Sequence, residues 1–231
     1  KGKKIAIPHN FGTRVVDKEV FEIFNSNIKL FEKLGANLEE IKFDFDLNDF
    51  EQPFHKCLMH TFSFCVNEQF YNVDPKKLMP HVKNTIERGK KVMASDYAKA
   101  LAQLSEYRFK MDNIFSKFDY IVSPTVAIPP HKCNERPNII NGKIDISSID
   151  DKEMFEENDY DYSSWIFVLA QFTAPFNWSG NPAVSLPCGF TKSGLPIGLQ
   201  LAGKKRGELS LIQASKAFEE IKPWQQNRPS I

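Results

Sequence analysis

Three features of the sequence predict an α/β protein with a mixed, partly parallel sheet covered by helices. The first forty-five residues run strand, helix, strand, a unit that lays two strands side by side in parallel. A long amphipathic helix from Ser95 to about Phe118 leads into a β-prone segment, DYIVS at 119–123. Near the carboxyl end, PAVSLPCGF and PIGLQLAG flank a TKSGL turn, the pattern of two antiparallel strands.

The elements follow in order. KIAIP at 4–8 is a short apolar run of strand character. Val20, Phe24, Ile28 and Phe31 fall at helical spacing between Val16 and Leu34, with Asp17 placed to cap the start and Gly35 to stop the end. LEEIKFDF at 38–45 supplies the second strand. From Asp46 to Tyr71 the aromatic-rich pattern of Phe50, Phe54, Leu58, Phe62, Cys65 and Phe70 predicts a helix with a broad buried face. In the helix beginning at Ser95, Leu101, Leu104, Met111, Phe115 and Phe118 share one side. Pro124 ends the following strand, and loops at the carboxyl ends of strands in α/β sheets are where ligands bind, so TVAIPP at 125–130 stands out. Residues 129–161 hold Pro129, Pro130, Pro137 and Gly142 and then eight acids against one lysine, which predicts a surface excursion. Helices are expected at 163–172 and 208–221. No internal repeat or low-complexity linker occurs, so residues 1–231 read as a single unit.

Composition narrows the function classes. A chain of 231 residues, 42% hydrophobic and 26% charged, has the makeup of a globular protein that hides roughly 70% of its unfolded surface. Thirty basic against twenty-nine acidic side chains leave a formal charge of +1, so no global field draws in nucleic acid or an anionic membrane. The longest clean apolar run, Trp165 to Ala170, is far too short to span a bilayer. Cys57, Cys65, Cys133 and Cys188 are widely spaced in a chain too large to need disulfides, so reduced thiols and a cytoplasmic location are expected. A first residue of Lys1 in place of Met leads us to expect a fragment or a processing product.

The familiar catalytic and metal signatures are weak. His55, Cys57, His60 and Cys65 are the best metal-ligand cluster, yet on a helix only Cys57 and His60 share a face, so no metal is expected. DYDYS at Asp159 starts like a calcium loop, but Ser164 and Ala170 stand where the turn glycine and the bidentate glutamate belong. Ser26 and Lys29 have serine–lysine nucleophile spacing on a polar helix flank, where the lysine stays hydrated and protonated. G-x-S-x-G, P-loop and G-x-G-x-x-G motifs are absent, and no cofactor is implied.

The most informative stretch is FTAPFNWSGNPAVSLPCGFTKSGLPIGLQLAG at 172–203. Its NWSGNP, PCG and GLPIGLQ segments resemble the carboxyl-terminal part of the amidase signature family. KGKKIAIP with the helix and strand after it, the segment from Ala94 to Thr125, and the terminal WQQNRPSI are similar to that family in the same order. The resemblance implies the amidase signature fold and hydrolysis of a small carboxamide. It also implies a serine nucleophile, a second serine held by a cis peptide and a lysine base. Those residues belong to a glycine- and serine-rich region upstream of the segment matching Lys1, so no catalytic residue is assigned on this chain. The implied partner is the amino-terminal half of the amidase, on the same or a separate chain. A homodimer is also allowed. By the same resemblance the loop from Pro124 to Pro130 and the segment leading to Asn177 border the acyl pocket. Thr125, Val126, Ile128, Phe176 and Trp178 are then the lining candidates, against a reading as plain packing.

The amidase-like A-subunits of glutamine-dependent tRNA amidotransferases resemble the chain through HVKNTIERG and FTAPFN. Asn84 and Thr85 stand where the arginines of that group are expected, and Ala170 where its acid is. A zwitterion without charge partners is costly to bury, which favours a hydrolase of a less charged amide. A catalytically empty amidase-like module that binds a ligand is the alternative from another class. A docking role for the acidic run at 145–161 is a third.

Overall fold

The computed structural model describes residues 1–9, 15–47, 49–50, 53–71, 73–78, 80–132, 135–140, 143–148 and 169–227. Lys4–Pro8 forms β1, Lys18–Ile28 α1, Leu30–Lys33 α2 and Asn37–Ile41 β2. Asp17 caps α1 as its spacing predicts: Oδ1 accepts from the Glu19 N–H at 2.8 Å and the Val20 N–H at 3.3 Å. The single helix expected over 16–34 is interrupted at Lys29. The Ile23 carbonyl accepts from Ser26 Oγ at 2.9 Å and Asn27 Nδ2 at 2.7 Å, local side-chain bonds of the kind that compete with a regular helix.

The remaining strands and helices expected from the sequence appear in the expected order, and the structure adds a helix at 80–89 and a pair of strands at 135–148. Helical winding covers Pro53–Tyr71, π-wound at both ends around α3 (His60–Val66). After it come α4 (Pro80–Gly89), α5 (Ala94–Lys117) and β3 (Tyr120–Pro124). Within 129–161, Glu135–Ile140 and Lys143–Ser148 are β4 and β5 of an antiparallel hairpin. Residues 149–168 lie outside the described residues, and with them most of the acidic run and of the helix expected at 163–172. Ala174–Ser179 is α6, Ala183–Phe190 β6, Pro196–Gly203 β7 and Glu208–Ile221 α7.

Contacts divide the chain into two compact units where the sequence, lacking any linker, reads as one. The first contains Lys1–Asp44, Asp112–Ile149 and Asp161–Ile231; the second contains Phe45–Met111. In the second, Phe45, Phe50 and Tyr107 form an aromatic cluster with ring centroids 5.0–6.0 Å apart. Helices α3 and α4 meet there at Gly89, where a Cβ would overlap the His60 carbonyl.

The first unit is built on a sheet ordered β2-β1-β3-β7-β6. β1 pairs parallel with β2 and β3, while β7 runs antiparallel to β3 and β6, so the sheet is mixed as expected. Alternation sends Ile5, Tyr120, Val122, Leu199, Leu201 and Leu186 to one face, where they join Val20, Phe24 and Ile28 of α1, Phe31 of α2, and Leu211 and Phe218 of α7. Phe31 and Phe218 stack with centroids 5.0 Å apart. Asp119 fastens the amino ends of β1 and β3: its Oδ2 accepts from the Lys4 N–H at 3.0 Å and its Oδ1 from Lys3 Nζ at 3.0 Å.

Candidate functional site

The parallel strands β1 and β3 end side by side, and a cleft of about 490 Å³ opens at their carboxyl ends. Its walls are Ile7, Pro8 and His9 leaving β1, Val122, Ser123 and Pro124 leaving β3, one flank of α1, and Phe172. The placement follows from topology. Where adjacent parallel strands stop, their loops diverge and leave a crevice. Two long-range bonds hold the mouth: the Asp17 N–H donates to the Ala127 carbonyl at 2.8 Å, and Gln171 Nε2 donates to the Val15 carbonyl at 3.0 Å.

A polar band crosses the sheet behind the cleft. Register places Ser123, Gln200 and Ser185 directly opposite one another on β3, β7 and β6. Gln200, only 4% exposed, donates from Nε2 to the Phe172 carbonyl at 2.7 Å and to Ser123 Oγ at 3.1 Å. It thereby joins a residue of each wall. Thr125 Oγ1 and Ser185 Oγ lie 2.7 Å apart at the exposed end of the band. Gly198 lies beneath this pair, and a Cβ there would come within 2.7 Å of both hydroxyls.

The five lining candidates are placed as follows. Thr125 and Val126 are partly exposed just beyond Pro124, whereas Ile128, Phe176 and Trp178 are core residues at most 2% exposed. None of the five lines the cleft; Phe172, one helical turn before Phe176, does. The residues that sequence reading passed over are Asn25, Phe21, His9 and Gln200. The strand-end rule, applied to β1 as well as to β3, points to His9. The signal for Gln200 is a lone polar residue in the apolar strand IGLQLAG.

Ionisable chemistry is sparse here. His9 Nε2 and Glu40 Oε2 pair at 3.1 Å on the exposed rim. Cys57, Cys65 and Cys188 are free thiols, and burial pushes Cys188 up to about 12, against a smaller lowering by Lys222 and a backbone N–H, so it is no nucleophile near neutral pH. Burial, then Asp96, raises Cys57 as well. Among the described residues no cluster of three or more His, Cys, Asp or Glu side chains is disposed to hold a metal. Within them no helix is long and apolar enough to cross a membrane.

The amidase family profile matches residues 1–212. The chain belongs to the amidase family. The A-subunit of the glutamyl-tRNA(Gln) amidotransferase of Thermodesulfovibrio yellowstonii is 28% identical across the whole of this chain, and that of a Geobacillus species 26%. The chain spans about half the length of these curated relatives, 47% in both cases. Among solved structures, a bacterial aryl acylamidase of the amidase signature enzymes superposes with a TM-score of 0.74 at 23% identity, over all of this chain and 47% of that one. A 6-aminohexanoate cyclic dimer hydrolase bound to its substrate gives 0.76 at 19% identity, covering 99% and 47%. These two likenesses establish the amidase signature fold for this chain.

Proposed function

We propose that this chain is the carboxyl-terminal part of an amidase that hydrolyses a small carboxamide, with the serine, second serine and lysine on a segment outside these residues. The observation that carries the reading is the family match along the chain combined with coverage of only 47% of full-length relatives. In this reading the chain supplies sheet and pocket wall. Ser123, Pro124 and Phe172 border the acyl side, and Thr125, Val126, Ile128, Phe176 and Trp178 form its surroundings. The catalytic segment then brings the general base and the oxyanion donors. Amide plus water gives carboxylate plus ammonia or amine.

A second reading, the A-subunit of a glutamine-dependent tRNA amidotransferase, is favoured by the names of the two curated relatives above. Against it, Asn84, Thr85 and Ala170 are uncharged where that group carries charge. The test is the intact mass of every polypeptide in the native sample, followed by amide hydrolysis and glutaminase assays on the assembled species. Hydrolysis of an uncharged amide without glutaminase activity supports the first reading, and glutaminase activity replaces it with the second. A lone 26.5 kDa species without either activity leaves a ligand-binding module and overturns both.

A further inference from the structure

Helix α7 has two faces of different character. Leu211 and Phe218 are buried against the sheet, and the opposite face carries Leu209, Ile212, Gln213, Lys216 and Glu220 at i, i+3, i+4, i+7 and i+11 spacing. Leu209 is 71% exposed and Ile212 65%, and the two are neighbours one turn apart. Single exposed aliphatic residues are ordinary, whereas adjacent ones on a rigid helix mark a contact surface.

Charge decides what fits against them. The turn entering α7 holds Lys204, Lys205 and Arg206, and the last turn of the helix holds Glu219 and Glu220. Arg206 is exposed and keeps a positive φ of 61°, a left-handed backbone uncommon for a residue with a side chain, and strain of this kind collects at binding sites. The face is thus basic at one end, apolar in the middle and acidic at the other. A polyanion or an anionic membrane laid along it would meet the glutamates. A second α7 laid antiparallel meets its own complement.

The spacing bears this out residue by residue. Arg206 and Glu220 each stand seven residues from Gln213, and Glu208 and Lys216 each stand four from Ile212. A twofold axis passing by Ile212 and Gln213 therefore sets Arg206 of each copy beside Glu220 of the other, about 10 Å along the helix on either side. It sets Glu208 beside Lys216 in the same way and brings Leu209 and Ile212 of both copies together at the axis. A parallel pairing would place like charges against each other. Within one chain Lys216 and Glu220 approach only to 3.9 Å on the exposed surface, a weak contact that leaves both open to a partner.

We propose that the outward face of α7 is a symmetric, antiparallel docking surface for a second copy of this chain, with Leu209 and Ile212 at its centre and two Arg206–Glu220 pairs at its ends. The test is sedimentation velocity of the native assembled species from about 1 to 200 μM, where a monomer–dimer equilibrium is expected of a small interface. Ile212→Ser should weaken association at least about tenfold, whereas Phe109→Ser, equally exposed at 65% but on α5, should leave it unchanged. Leu209→Ser gives a second reading of the apolar centre. Arg206→Glu and Glu220→Arg each set like charges opposite one another twice, and either alone should weaken association by about tenfold. Mixed in equal amounts, these two variants form a heterodimer in which both pairs are complementary again, and association should return to within about threefold of the parent. Rescue by mixing separates a contact between copies from damage to the fold, and thermal melting checks the fold of each variant. A species that stays monomeric at the highest concentration, a dimer indifferent to both Ile212→Ser and Leu209→Ser, or no gain on mixing would overturn the proposal.

Discussion

The two faces of the five-stranded sheet are built from different chemistry. On one, leucine, isoleucine, valine and phenylalanine side chains from the strands, α1, α2 and α7 form a continuous apolar core. On the other, the strand positions between those residues are Ala6, Ile121, Ser123, Ser185, Gly198, Gln200 and Ala202, mostly small or polar. Non-directional burial holds the first face, and its sequence needs only to be apolar and of about the right volume. Geometry holds the second. Gln200 fits because the Phe172 carbonyl and the Ser123 hydroxyl stand at hydrogen-bond distance, and Gly198 because two hydroxyls occupy the place of a side chain. The helix-covered face supplies stability, and the polar face sets the positions of the segments that border the cleft.

Substitutions one residue apart on β7 separate the two roles. Leu199 is fully buried on the apolar face, so Leu199→Ala removes packed methyl groups and leaves a cavity, costing about 3 kcal/mol in urea unfolding. The Phe172 amide NMR shift should stay at the parent value below the midpoint, because the cleft walls keep their hydrogen bonds. Gln200→Leu keeps the bulk but removes the buried donor to the Phe172 carbonyl and to Ser123 Oγ, an expected loss of about 2 kcal/mol. Here the cleft wall should change too, with the Phe172 amide NMR shift moving as its carbonyl loses the Gln200 bond. If both substitutions moved the Phe172 amide shift in proportion to their loss of stability, the distinction between the faces would fail.

Much of the apolar face is legible in the sequence because periodicity is local. β1, β3, β6, β7 and the long helix α5 all lie within a few residues of where alternation and helical spacing place them. The polar face is harder to read. Nothing near Gln200 in the chain announces that Phe172, twenty-eight residues earlier, will present its carbonyl to it. The division at Phe45 and Met111 is also invisible locally, since it is defined by which distant residues touch and no glycine- or proline-rich linker marks it. The strand-end rule at Pro124 points to the end of the sheet where the cleft opens. Three of the five lining candidates, Ile128, Phe176 and Trp178, are buried, since family motifs record backbone geometry and packing as readily as ligand contact. Trp178, 1% exposed, lies within such a motif and belongs to the core.

Gly198 gives a sharper comparison within the polar face. Gly198→Ala places a methyl group within 2.7 Å of Thr125 Oγ1 and Ser185 Oγ, which already bond each other at 2.7 Å. The expected loss is about 1 kcal/mol, since hydroxyls on rotatable side chains give way more easily than backbone. Ser185→Ala in the same chain opens room, so the double variant should recover roughly half of that loss in a double-mutant cycle. Additive effects would mean that the hydroxyl pair and the glycine do not share the space.

The smallest expected effect lies at the opposite end of the strands, where Asp119 joins β1 to β3. Burial alone would raise its carboxyl, but the Lys4 N–H and the Lys3 ammonium outweigh burial and hold it below the ordinary 3.8. Lys3 is raised above 10.5 in return, chiefly by its hydrogen bond and charge attraction to Asp119. A lowered carboxylate contributes stability that is full above its unfolded value and disappears as pH falls through the folded one. A raised lysine contributes below its unfolded value, and that contribution is lost as pH rises through the folded one. The pair therefore stabilises the strand ends across neutral pH and fades on both sides. Because both groups are partly solvated, the size is about 0.5 kcal/mol. Asp119→Asn should be less stable than the parent by that amount at pH 7, with the gap closing below pH 3.8 and above pH 10.5. About 0.5 M salt should narrow the gap at pH 7, leaving the part due to the Lys4 N–H bond. A gap unchanged between pH 7 and pH 3 would show that the side chain acts through shape alone, and the strand ends would then be held by their backbone ladder.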